Sequence, residues 1–456
     1  MASSVNIICK RTVVSTKAIE PGKYLPLSVL DRFMEKNHIR MVYYYQTSEE
    51  LELGKLTKKL RETLSEMLTH FPIVTGRLIR DDMGHWKIKC NDAGVRMVEA
   101  KAKGGVEEWL RSVDREKELK LVYWEDMHQK PYYWSTFYVQ LTEFEEGGIA
   151  IGLSCTHLLA DSICATNFMK AWADISLDNK MISPPIFHPL PPQKPQNKKP
   201  NNISYMGLIS HYKSSIEKPI SIKESKYTTI SMGFSHHMVQ ACMSLAQING
   251  SSSPSPSPNS TPFEALSGLF WVALSKIKGI QNGLVDMSIC LNVRKIMGLD
   301  QGFFGNSMLY NKVHLEENFN LDLYENKFPQ ATKAIKNAVA KIKNEEIIDL
   351  IEWFENNDIN SSTMMKGHDL VFTSLEDVDP YLATFQDMLK PIHVSYYIEP
   401  VLGEGHVLIL PTPLDEGPLG RVVMATLQEE EAIKLCEDEF ISQFSPNILM
   451  KCVNKY

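Results

Sequence analysis

Apolar positions along the chain follow two periods. Between Leu53 and Leu68 they recur at Leu56, Leu60, Leu64, Met67 and Leu68, the step of an amphipathic helix, and His70-Phe71-Pro72 marks its end. Trp86-Lys87-Ile88-Lys89-Cys90 and Val95-Arg96-Met97-Val98 alternate instead, with turn composition at Asn91-Asp92-Ala93-Gly94 between them, so a β-hairpin is expected there. Two more strands are expected over Pro131–Leu141 and Ile149–Cys155, the second running into His157. A helix over about Ser162–Ile175 then closes the first half. In the second half Phe263–Ile277 has helical character. Strands are expected near Val285–Leu291, Asp369–Thr373, Ile392–Ile398 and His406–Leu410, and a Glu-rich helix from Gln428. Both halves therefore read as α/β.

At 456 residues the chain exceeds what one hydrophobic core supports, so two domains are expected. Ser183 to Asn202 holds seven prolines with lysine, asparagine and glutamine, too little apolar area to fold alone. The expected division is residues 1–182, a linker over 183–224, and residues 225–456. Gly250–Pro258 is a Ser-Pro tract expected as a surface loop.

Charge narrows the partners. Forty-eight basic residues against 55 acidic ones give a net charge of −7, which argues against nucleic acid. Apolar runs such as Ile149–Cys155 are strand-sized, far short of the roughly 20 residues of a spanning helix. Met1–Lys10 lacks the pattern of a secretory signal, so a cytoplasmic protein with reduced thiols is expected. None of the eight cysteines forms a C-x-x-C pair, and the Asn-x-Ser sequons at Asn202, Asn249 and Asn360 are read as chance.

The chemistry-bearing candidate is His157, between a strand and a helix. Its neutral imidazole could take a proton from an acceptor hydroxyl or amine attacking an acyl carbonyl, or it could be a structural hydrogen-bonding residue. Asp161, four residues on, would share a helical face with His157 if the helix extended that far, and could orient it; equally it could cap the helix or form a structural ion pair. Cys155 could form a Cys–His pair with His157 or be a small core residue. His236-His237 have no companions at metal-ligand spacing, so no metal is expected, and Gly302-Phe303-Phe304-Gly305 lacks the Lys-Ser/Thr of a phosphate loop.

Three segments taken together resemble the signatures of the plant BAHD acyltransferases: Ser154-Cys155-Thr156-His157-Leu158-Leu159-Ala160-Asp161, Leu291-Asn292-Val293-Arg294 and Phe303-Phe304-Gly305-Asn306. Pro26–Asp31, Phe71–Arg77 and Cys90–Val95 are also similar to family segments, so the likeness spans essentially the whole chain. It implies two chloramphenicol-acetyltransferase-like domains, each a mixed sheet with flanking helices, and a channel between them. It also implies His157 as general base, reached by acyl-CoA from one side and acceptor from the other, and Asp161 turned away to pair with Arg294. No permanently bound cofactor is implied.

Two departures stand out. Family members usually carry Asp-Phe-Gly-Trp-Gly ahead of Lys-Pro, whereas here Phe385-Gln386-Asp387-Met388-Leu389 precedes Lys390-Pro391, and Ser162 replaces a frequent glycine. An intact histidine motif beside a missing glycine-tryptophan segment resembles the eceriferum/Glossy-type branch. That resemblance implies a monomer at the endoplasmic reticulum that helps a fatty-acid elongase condensing enzyme, of the 3-ketoacyl-CoA synthase type, extend very-long-chain acyl-CoAs for cuticular wax. The alternative is an active acyl-CoA-dependent O- or N-acyltransferase using His157.

Overall fold

The computed structural model describes residues 5–17, 22–47, 53–190, 206–217, 226–247, 260–315, 324–357, 369–385, 389–401 and 403–451. The Ser-Pro tract, the three sequons, most of the expected linker and residues 386–388 lie outside the described residues.

Two mixed sheets carry the molecule. The first has six strands in the order Val5–Val13, Val95–Ala102, Phe137–Phe144, Ile149–Thr156, His38–Tyr45, Pro391–Glu399. Only Val95–Ala102 and Phe137–Phe144 run parallel within it. All eight residues of Ile149–Thr156 are buried, because this strand is covered on both faces; that is why it reads as an unbroken small and apolar run rather than an alternation. The second sheet has the order Met308–Lys312, Met287–Asn292, Leu370–Ser374, His406–Pro411, Arg421–Gln428, Tyr227–Phe234, Asn447–Met450. A small third sheet joins Tyr24–Pro26, Trp86–Lys89 and Arg77–Arg80.

Helices cover the sheets as the spacing predicts. Leu53–Leu68 buries Leu56, Leu60, Leu64, Met67 and Leu68. It lies against Ser162–Asp178, whose Trp172 indole donates to the Leu60 carbonyl at 3.1 Å. Pro262–Ile277 starts at a capping box, Thr261 with Glu264, and is buried along most of its length. The Glu-rich helix is Glu429–Cys436.

Three expectations need correction. Trp86–Lys89 and Val95–Ala102 form no hairpin, since the first belongs to the three-stranded sheet and the second to the six-stranded one. Between them the chain turns through Asp92 (φ 47°) and Gly94 (φ 77°), and a Cβ at Gly94 would lie 2.5 Å from the Val13 carbonyl oxygen. The Arg77 guanidinium staples this crossover, donating to the carbonyls of Gly76, Ala93 and Gly94, each at 2.8 Å. Pro131–Tyr133 is a 3₁₀ turn, with the strand starting only at Phe137. Finally, the second domain drawn as residues 225–456 is not self-contained. Its strand Pro391–Glu399 pairs antiparallel with His38–Tyr45 and completes the first sheet, because the first half leaves that edge open.

Candidate functional site

Strand Ile149–Thr156 delivers His157 to the junction of the two halves. The His157 backbone N–H donates to the Asn37 carbonyl at 2.9 Å, ending the strand, and the chain then turns. The helix starts only at Ser162, so His157 and Asp161 do not share a helical face. Asp161 is its N-cap, accepting from the Cys164 amide at 2.9 Å.

The His157 ring, 2% exposed, is held by a side chain from the other half. Its Nδ1 lies 2.8 Å from Asn306 Oδ1. Asn306 Nδ2 donates to the His157 carbonyl at 2.7 Å and to Asp31 Oδ1 at 2.8 Å, which commits both amide hydrogens and turns the amide oxygen toward Nδ1. A neutral His157 in this arrangement therefore carries its proton on Nδ1 and its lone pair on Nε2, the form a general base requires. Asp31 anchors the chain, accepting also from the Asn306 amide at 2.8 Å and from the Ser28 amide and hydroxyl at 2.8 and 2.6 Å. Burial holds the Asp31 carboxyl above its ordinary pKa despite these donors.

Asp161 does not touch this chain. Its carboxylate takes a bidentate contact from Arg294, 3.0 Å to Oδ1 and 2.9 Å to Oδ2, and a further donor from the Ser307 amide at 3.1 Å. Burial raises its pKa, but the guanidinium and the two backbone amides outweigh burial and bring it below the ordinary value. Burial by itself would lower the Arg294 pKa, and Asp161 raises it on balance. The second guanidinium nitrogen also donates to the Gly305 carbonyl at 2.8 Å, so the pair fixes the loop bearing Asn306. Of the residues singled out by sequence, the structure thus brings Asp161 and Arg294 together and leaves His157 to other partners.

Asn306 and Asp31 have no role in the sequence reading beyond lying in family-like segments. They stand 149 and 275 residues from their partners, His157 and Asn306, and no spacing rule spans such distances. Cys155 is fully buried and burial pushes its thiol well above the ordinary range, which fits the core residue and not the nucleophile. The His236 ring meets His237 edge-on, and its Nδ1 accepts from the Leu419 amide. Among the described residues no cluster of three or more His, Cys, Asp and Glu could hold a metal ion.

Beside Asp31 opens a cavity of about 460 Å³, walled by Leu25, Leu27, Ile88, Phe303 and Phe304. Its lining is mostly apolar, and the small three-stranded sheet contributes one wall. Among the described residues no helix is long and apolar enough to cross a membrane.

Comparison with known proteins bears on the family and the fold. A model of the transferase family matches residues 3–440. Protein ECERIFERUM 26-like of Arabidopsis thaliana is 25% identical over 428 residues, 93% of this chain and 92% of that protein. Protein ECERIFERUM 2 of the same plant is 25% identical over 96% of this chain and 98% of its own length. Among solved structures, vinorine synthase superposes with a TM-score of 0.69 at 18% identity, covering 95% of this chain and 98% of that one. F. graminearum TRI101, complexed with coenzyme A and deoxynivalenol, superposes with a TM-score of 0.70 at 13% identity over 94% of this chain and all of that one.

Proposed function

The chain belongs to the transferase family of BAHD type, and on that premise we propose that it promotes the elongation of very-long-chain fatty acyl-CoAs for cuticular wax at the endoplasmic reticulum, acting with the elongase condensing enzyme. The observation that carries this reading is the whole-length similarity to ECERIFERUM proteins. Two features support it. The glycine-tryptophan segment is replaced by Gln386-Asp387-Met388-Leu389, removing the flexible glycines and an indole N–H donor. The His157 ring is shut in, at 2% exposure. Acyl-CoA is the ligand this reading requires, its aliphatic chain suited to the apolar cavity beside Asp31.

A second reading is favoured by one observation, the Asn306 contact that leaves the His157 lone pair on Nε2. In it Nε2 takes the proton of an acceptor hydroxyl or amine as that group attacks the thioester carbonyl, and the coenzyme A thiolate departs with the proton. One experiment separates the two readings. Cells expressing a condensing enzyme receive the wild-type chain or His157→Ala, and acyl chain lengths are read by gas chromatography. The accessory reading expects extension to survive the substitution. Extension lost in a normally folded variant overturns it and favours acyl transfer, for which loss of the base lowers turnover about 100- to 10,000-fold.

A further inference from the structure

We propose that the outer face of the three-stranded sheet is a docking surface for a bilayer carrying anionic headgroups. The inference rests on the membrane association in the function proposed above.

Alternation gives the two faces of this sheet opposite character. Leu25, Leu78 and Ile88 are in register and turn inward, with Leu78 and Ile88 fully buried and Leu25 and Ile88 walling the apolar cavity. Facing outward, Tyr24 lies opposite Lys89 and Pro26 opposite Lys87. The Lys87 ammonium sits 5.4 Å from the centre of the Tyr24 ring and the Lys89 ammonium 5.9 Å from that of Tyr132. Tyr133 follows at 5.8 Å from Tyr132. Lys87, Tyr24, Lys89, Tyr132 and Tyr133 thus form one continuous patch, flanked by exposed Lys23 and Lys130.

The composition of this patch selects its partner. Tyr24, Tyr132 and Tyr133 are 46%, 51% and 69% exposed, and a tyrosine ring with an apolar body and a polar tip suits the headgroup layer. Four lysines gathered on a chain of net charge −7 are complementary to anionic lipid. Asp81 lies near Lys87, and its carboxylate is committed to the Met83 and His85 amides at 3.0 and 2.8 Å. Docked this way, the molecule holds its apolar cavity just behind the lipid-facing sheet, the place from which an aliphatic chain would enter.

Flotation of the purified full chain with vesicles tests this, using phosphatidylcholine alone or mixed with phosphatidylserine. The wild-type chain binds the mixed vesicles, and binding falls as salt rises. Lys87→Ala combined with Lys89→Ala lowers partitioning about 30-fold at low ionic strength, with an unchanged melting temperature. Tyr24→Ser with Tyr132→Ser and Tyr133→Ser weakens binding at every salt concentration. Equal binding by the lysine variant, equal binding to both vesicles, or no binding to either overturns the proposal. Because no condensing enzyme is present in the flotation itself, failure here leaves the elongation reading standing, and failure of the elongation assay leaves this surface standing.

Discussion

Asp161 and Glu399 are both buried carboxylates facing guanidinium groups from remote parts of the chain, yet they are built from different materials. Asp161 accepts from Arg294 and from two backbone amides, Cys164 and Ser307, so two of its three partners are fixed by the helix start and the loop themselves. Glu399 faces side chains only: Arg115, Arg40 at 3.0 Å and His38 at 3.2 Å. Burial raises the Glu399 pKa, but His38 and the two arginines overcome this and bring it down to about 2. A carboxylate held partly by local backbone leaves a trace in the sequence, as a cap at a helix start. One held by side chains from two other elements, strand His38–Tyr45 and the short helix Arg115–Glu118, exists only once strand Pro391–Glu399 has joined the first sheet.

The largest expected effect breaks the first cluster. Arg294→Met leaves Asp161 buried without its cation and should cost about 3–5 kcal/mol in urea unfolding. Adding Asp161→Asn to it should recover a good part of that loss, because no charge is then stranded; an additive double variant would show that the two residues do not act as a pair.

Glu399→Gln sharpens the contrast through pH. The folded carboxyl titrates at about 2 against an ordinary 4.5, so its contribution is complete above about 4.5 and is lost as pH falls toward 2. The variant should be less stable by about 3 kcal/mol at neutral pH, and the deficit should shrink to nothing as acid protonates the wild-type residue. A deficit that stays constant from neutral pH down to the folded pKa would contradict this account.

The smallest effect is the control. Lys58 and Glu62 pair at 3.9 Å on the outside of a helix with side chains 68% and 64% exposed, and Lys58→Ala should leave the unfolding midpoint unchanged. A clear shift there would mean that exposure is a poor guide to what these charge pairs contribute.

Much of the local architecture is legible in the residues. Helix Leu53–Leu68 follows from five apolar positions, Pro262–Ile277 from its helical apolar spacing, and Ile149–Thr156 from an unbroken small and apolar segment. Asp161 and Arg294 are legible through the family-like segments that contain them. The false hairpin at Trp86 to Val98 has a definite cause: alternation shows that both segments are extended but not which strands accept their hydrogen bonds.

By itself, then, the sequence determined the periodic elements, the two-part α/β plan, and the residues at the strand-to-helix junction, because period, caps and turns are properties of neighbouring residues. Only the tertiary structure decided that Asn306 and Asp31 orient His157 and that a strand from the second half closes the first sheet. Each of these is a contact between residues more than a hundred positions apart, and what selects it is the burial of a polar group that must find its partner wherever the packed chain brings one.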